Sequence, residues 1–251
     1  FLKVIDGNPR QQIAAKQKLY VVVPAFNEQG SIASVIAEIR ALQLPNVDVE
    51  LVVVDDGSSD LTKSRAKDVG ATVVSMPYNM GIGMSVQTGF CYALDRGAEF
   101  IVQVDGDGQH ISAEVAKLFA PILAGTADVV IGTRFLENTQ RGLKSTTFLR
   151  WLAGRGLAFS VFLFTGKNLT DTTSGFRLFN RKAAEFVAHS YPDDYPEVQV
   201  LVMLARRGFQ ITEVPVHMRE RTHGVSSINW WRSVYYMVKV VFASFMDWLR
   251  K

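Results

Sequence analysis

With 251 residues, 48% of them hydrophobic, the chain can bury a substantial core, which excludes wholesale disorder and suits an α/β domain. A formal net charge of +3 gives no electrostatic case for a nucleic-acid partner. The single cysteine, Cys91, rules out an internal disulfide and fits a reducing cytosol; it lies in an apolar helical pattern and is expected to be a packed core thiol.

Residues 1–18 are polar, carry Gly7, Pro9 and three lysines, and read as an N-terminal extension. Residues 19–24 (LYVVVP) form a short buried strand. The loop Ala25-Phe26-Asn27-Glu28 follows, then a helix over 31–42 with Ile32, Val35, Ile36 and Ile39 on one face. A second strand, 49–54, ends in Asp55-Asp56-Gly57-Ser58-Ser59-Asp60, where Ser58 or Ser59 is placed to cap the next helix. Residues 71–75 are a third strand, and Gly81 and Gly83 open a helix with Val86, Phe90 and Ala93 inward. The apolar run 100–104 is the next strand, followed by a helix over 112–123 and a strand over 127–131. Continuous apolar strands alternating with helices mark a mostly parallel sheet covered on both faces.

The run 100–104 leads into Asp105-Gly106-Asp107-Gly108-Gln109-His110. Two carboxylates at i and i+2, with no Lys or Arg in the motif, repel each other. A divalent ion relieves this, and Asp and Gln oxygens suit Mg²⁺ or Mn²⁺. Gly106 and Gly108 permit a sharp turn and a close ligand approach. The plainer reading is a Gly-rich turn with two solvated acids. Asn27 and Glu28, Asp55 and Asp56, and Asp105 and Asp107 all fall just past strand ends, where open parallel sheets bind ligands. Three polar clusters thus converge on one rim.

From Arg134 to Lys182 basic residues dominate around an apolar, aromatic segment, 148–164. That texture suits an anionic lipid surface, or an ordinary core helix with solvated arginines. The stretch Asp171-Thr172-Thr173-Ser174-Gly175-Phe176-Arg177 reads as a loop entering a short strand. Helices over 183–189 and 198–207 and a strand over 210–217 follow, with Pro215 marking an edge strand. Residues 228–251 form an amphipathic last helix with Trp230, Trp231, Val234, Val238, Val241, Phe245 and Trp248 on its apolar face. No run of about 18 uncharged apolar residues occurs, so no membrane span is expected.

Five motifs stand in a recognisable order: Val23-Pro24-Ala25-Phe26-Asn27-Glu28, Val54 to Asp60, Asp105 to His110, Ser174-Gly175-Phe176-Arg177, and Glu213-Val214-Pro215 leading to Arg221 and Gly224-Val225-Ser226-Ser227. Over residues 19–227 the chain resembles the family 2 glycosyltransferases of GT-A fold, especially the branch of polyprenyl-phosphate sugar synthases that includes the dolichyl-phosphate mannose synthases. The resemblance implies a GT-A domain over 19–227, with 228–251 as a C-terminal amphipathic helix bound to membrane or partner.

It also implies roles. Pro24, Glu28 and Asp56, with Asn27 and Asp55 beside them, would hold the nucleobase and ribose of a UDP- or GDP-sugar, and Asp105 would complete the donor side. Asp105, Asp107 and Gln109 would hold Mg²⁺ or Mn²⁺ on the diphosphate. Arg134, Arg177, Arg221 and Ser226 would meet acceptor or phosphate groups, with Asp107, Arg177 and Asp171 as the catalytic set. Plainer readings make Glu28 a helix N-terminal charge, Asp60 a cap and Arg177 a surface ion pair. Two departures stand out: Gly108 replaces a commonly apolar residue, and the Glu-Asp pair of hydroxyl-glycosylating relatives is missing, with Asp171 the nearest base.

The expected reaction is a metal-dependent, inverting displacement that moves a hexose to a polyprenyl phosphate, an anion that needs no base. The alternative acceptor is a hydroxyl of a lipid-linked or cell-surface glycan. The expected setting is peripheral, on the cytoplasmic face of a membrane, with a small membrane protein as a further partner. Three rivals are weaker. Haloacid-dehalogenase-type phosphatases place their aspartate pair near the N-terminus and follow it with Thr or Val. A calcium loop would need a chelator at position twelve, where Ala116 stands. A non-enzymatic scaffold would turn over no donor.

Overall fold

The computed structural model describes residues 16–135, 161–163, 165–192 and 196–219. Seven strands form one sheet: β1 (Gln17–Ala25), β2 (Val47–Asp55), β3 (Thr72–Ser75), β4 (Phe100–Gln103), β5 (Val129–Thr133), β6 (Arg177–Asn180) and β7 (Ile211–Pro215). Their order is β3-β2-β1-β4-β6-β5-β7. All neighbours run parallel except β6, which is antiparallel to both β4 and β5. The helices are α1 (Ile32–Arg40), α2 (Thr62–Asp68), α3 (Ile82–Asp95), α4 (Val115–Leu123, after a 3₁₀ turn at Ser112–Glu114), α5 (Arg181–Ser190) and α6 (Pro196–Arg206). The layout is the GT-A fold expected from the motifs.

Alternation along β1 explains the layers. Tyr20 and Val22 join one apolar cluster with Val86, Phe90 and Ala93 of α3 and Ala184 and Val187 of α5. Leu19, Val21 and Val23 point the other way, onto Ile32, Val35 and Ile36 of α1 and Leu118 and Phe119 of α4. Both faces of the strand are therefore dry, and no polar alternation is left in its sequence. On α3, Gly89 permits the close seat on the sheet: a Cβ there would lie 2.2 Å from Val22 Cγ1.

The direction of β6 matters most for the site. It starts where β4 and β5 end, with Arg177 in register with Gln103 on one side and Ile131 on the other. The preceding loop is thereby delivered to the rim that carries the acid motif.

Some expectations change. The strand β1 already includes Gln17 and Lys18, paired with Val47 and Asp48, so these two residues belong to the sheet rather than to the extension. Ser58 and Ser59 do not cap α2; Asp60 Oδ1 accepts the Thr62 N–H at 2.9 Å instead. Cys91 is exposed rather than core, because α3 turns Val86, Phe90 and Ala93 inward and leaves its Sγ 3.9 Å from the Ala188 carbonyl. Pro215 does lie in an edge strand, β7. No helix among the described residues is long and apolar enough to cross a membrane. Residues 1–15, most of the segment 148–164 and the last helix, 228–251, lie outside the described residues.

Candidate active site

The first two loops of the rim are stitched together. Asn27 has a left-handed backbone (φ 55°). Its N–H donates to Ser58 Oγ at 3.0 Å, and its Oδ1 accepts the Ser59 N–H at 2.9 Å. The Glu28 N–H donates to Thr62 Oγ1 at 2.8 Å, and the Gln29 N–H to Asp60 Oδ2 at 3.2 Å. Burial pushes the Asp60 carboxyl up, but the bonds from Thr62 and Gln29 outweigh it and hold the group below its ordinary value.

Asp55 and Asp56 are nearly fully buried at the end of β2. Asp55 Oδ1 accepts the Ser58 N–H at 3.2 Å. Asp56 receives the Met80 N–H on Oδ1 at 2.8 Å and the Gly81 N–H on Oδ2 at 3.0 Å, fixing the entry to α3. Phe26, Tyr78 and Ile82 lie exposed around these loops. Tyr78 and Ile82 carry no motif signal; the fold brings the Tyr78 backbone against Gly57 of the second loop.

The acid turn is pinned from several directions. The Gly106 N–H donates to the Pro24 carbonyl at 3.3 Å, and its own carbonyl accepts Ser31 Oγ at 2.7 Å. Asp105 Oδ1 accepts Gln103 Nε2 at 3.1 Å, and its N–H donates to His110 Nδ1 at 3.1 Å. Asp107 Oδ1 accepts the Gln109 N–H at 3.0 Å. The Gln109 carbonyl accepts the Arg219 N–H at 2.8 Å, tying the turn to the chain beyond β7. Asp105, Asp107 and Gln109 are all partly exposed on one turn, a hard-oxygen set that fits Mg²⁺ or Mn²⁺. Among the described residues no three His, Cys, Asp or Glu side chains form a cage.

On the other side of β4, Asp171 has no exposed side-chain surface, and its Oδ2 lies 3.5 Å from Arg134 Nε. Its Oδ1 accepts Thr173 Oγ1 at 3.2 Å. Glu213 fixes the loop from below: its carboxylate accepts the N–H groups of Thr170 and Asp171 at 2.8–2.9 Å and the Thr170 hydroxyl at 3.0 Å. Glu213 was visible in the sequence only as part of a motif, without a role. Arg177 is 2% exposed, so it is no surface ion pair. Its Nε donates to the Ser174 carbonyl at 2.8 Å and an Nη to the Thr172 carbonyl at 3.0 Å, under the loop. Beside it, desolvation pushes the carboxyl of Glu197 up, against the pull of Arg177. Arg221 and Ser226 lie outside the described residues.

The loops after β1 and β2, the acid turn and the 171–177 loop thus share one rim of a GT-A sheet, and the chain is a glycosyltransferase. A family model described as Glycosyl transferase family 2 matches residues 20–187, and the chain belongs to that family. It is 28% identical to the UDP-N-acetylglucosamine–dolichyl-phosphate N-acetylglucosaminyltransferase of Methanococcus voltae, over 80% of this chain and 86% of that one. It is also 28% identical to the polyprenol monophosphomannose synthase of Mycolicibacterium smegmatis, over 89% and 85%. Among solved structures, it resembles glucosyl-3-phosphoglycerate synthase from Mycobacterium tuberculosis in complex with Mn²⁺, UDP and glucosyl-3-phosphoglycerate. The TM-score is 0.69 at 25% identity, covering 93% of this chain and 80% of that one. Nothing in these relatives supports the small membrane-protein partner expected at the outset.

Proposed function

We propose that this protein transfers a hexose, with inversion, from a nucleoside-diphosphate sugar to a polyprenyl phosphate, working peripherally at the cytoplasmic face of a membrane. The observation that carries the reading is the state of Asp171. A general base must reach the proton it removes. The Asp171 carboxylate has no exposed surface and lies against Arg134, which suits holding a cation rather than deprotonating a hydroxyl. An acceptor that is already an anion needs that cation and no base. The relatives from Methanococcus voltae and Mycolicibacterium smegmatis, named for dolichyl phosphate and for a polyprenol monophosphate sugar, support the same acceptor chemistry.

On the donor side, Asp55 and Asp56 shape the loops over which a nucleoside would lie, with Pro24, Asn27 and Glu28 on the adjoining strand end and loop. Asp105, Asp107 and Gln109 are the residues that would hold a divalent ion, Mg²⁺ or Mn²⁺. Bound there, such an ion supplies counter-charge for a leaving diphosphate. The Mn²⁺–UDP complex of the structural neighbour supports this. Asp171 keeps the Arg134 guanidinium at the acceptor side, and Arg177 holds the loop that carries Asp171. Arg221 and Ser226 belong to the same proposed acceptor side.

The test is transfer of labelled sugar from a panel of UDP- and GDP-sugars to a short polyprenyl phosphate, with Mn²⁺ or Mg²⁺ and then with chelator. A chelator-sensitive product that partitions into the organic phase, from one donor, is expected. Donor turnover with only water-soluble product would refute the lipid acceptor, and turnover untouched by chelator would refute the metal.

A further inference from the structure

His110 lies directly behind the acid pair. The ring is 6% exposed, so it is poorly placed to touch a ligand itself. Its Nδ1 accepts the Asp105 N–H at 3.1 Å. In the neutral ring the proton is then on Nε2, which lies 3.8 Å from Asp105 Oδ2. The ring face stacks on Phe176, with centroids 4.9 Å apart and planes 21° apart. Phe176 is itself fully buried. The residue before it completes the seat: a Cβ on Gly175 would lie 2.9 Å from Gln103 Nε2 and 3.0 Å from Asp105 Oδ2. Gln103 Nε2 is the group that donates to Asp105 Oδ1. Asp105 is therefore set by a side-chain amide on its carboxylate, an imidazole on its backbone N–H and a bare Cα beside it.

We infer that His110 is a positioning residue that fixes Asp105 for the ion and diphosphate of the donor, with Gly175 as the clearance that lets Asp105 take that position. The inference rests on the donor and metal reading above. Residues that orient a ligating carboxylate from behind typically change metal affinity by about 10- to 100-fold when replaced.

The experiment is Mn²⁺ binding in the presence of UDP and, separately, of GDP, read from the electron paramagnetic resonance of free and bound ion, with thermal unfolding as a check on the fold. His110→Leu keeps apolar bulk against Phe176 but offers no acceptor, and should weaken Mn²⁺ binding about ten-fold or more. His110→Asn returns an acceptor oxygen near the place of Nδ1 and should recover much of that loss, which a purely packing role would not produce. Gly175→Ala should weaken binding similarly by displacing Asp105, and it decides the question if the His110 variants do not fold. If wild type binds no Mn²⁺ with either nucleotide, the donor and metal reading itself fails and takes this inference with it. If wild type binds while folded His110→Leu or Gly175→Ala binds within about two-fold of it, the reading stands and the inference is overturned.

Discussion

Asp107 and Asn27 stand on neighbouring loops of one rim and do different work. Asp107 is partly exposed on the acid turn, so its removal should cost chemistry and not folding. Asp107→Asn is expected to lower kcat/KM by about two orders of magnitude or more, as loss of several kcal/mol of charge stabilisation implies. Its unfolding free energy should stay within about 0.5 kcal/mol of wild type. Parallel kinetics and urea titration check both halves, and unchanged activity would remove Asp107 from the metal site. Asn27, by contrast, holds two loops together from a left-handed backbone. Asn27→Ala should destabilise by about 1–2 kcal/mol, from the strained φ and the lost acceptor for Ser59, and Asn27→Gly by less, because glycine relieves the backbone part. Equal stability of all three in urea would contradict this. The pattern of Asp105, Asp107 and Gln109, on which the proposed metal role rests, is local in sequence and could be read there. Asn27's role could not, since its partners lie 31 and 32 residues away. The depth at which Arg177 sits was not legible, because it bonds to backbone carbonyls, which every residue carries and no motif reveals.

At the scale of elements, apolar patterning located most of the described strands and the helices α1 and α3, because each presents a dry face to the core. Ends and caps were less legible. Ser58, Ser59 and Asp60 all offered a cap for α2, and Asp60 is the one used, a choice set by where Gln29 and Thr62 lie. The first turn of α6 carries an electrostatic cost that no pattern announced. Glu197 is pushed above the ordinary glutamate value first by desolvation, with the charge of Asp105 adding to it and Arg177 opposing. A carboxyl whose folded pKa is raised stays protonated longer in the folded state, so stability falls as pH rises from the unfolded value through the folded one. Glu197→Gln should therefore lose less stability than wild type between pH 4 and pH 8, with the two converging at the acid end. Denaturant titrations at both pH values check this, and parallel pH profiles would contradict it.

The whole molecule divides its rim by topology. Parallel strands β1, β2 and β4 bring the loops proposed for the donor and the acid turn together. The reversed strand β6 brings the 171–177 loop back to the same edge, against Asp105 on one side and Arg134 on the other. The alternating pattern foretold a mostly parallel sheet, but not that β6 would sit between β4 and β5, since four short residues carry no sign of their direction. That placement sets Asp171 against Arg134 and underlies the claim that the acceptor arrives as an anion. The most direct test offers the enzyme two acceptors with the same short polyprenyl chain, one ending in phosphate and one in a free hydroxyl, with its preferred nucleotide sugar. Transfer to the phosphate alone is predicted, with Arg134→Gln raising the acceptor KM about ten-fold, as loss of one charge-assisted contact implies. Comparable transfer to the free alcohol, abolished in Asp171→Asn, would make Asp171 a base and contradict the account.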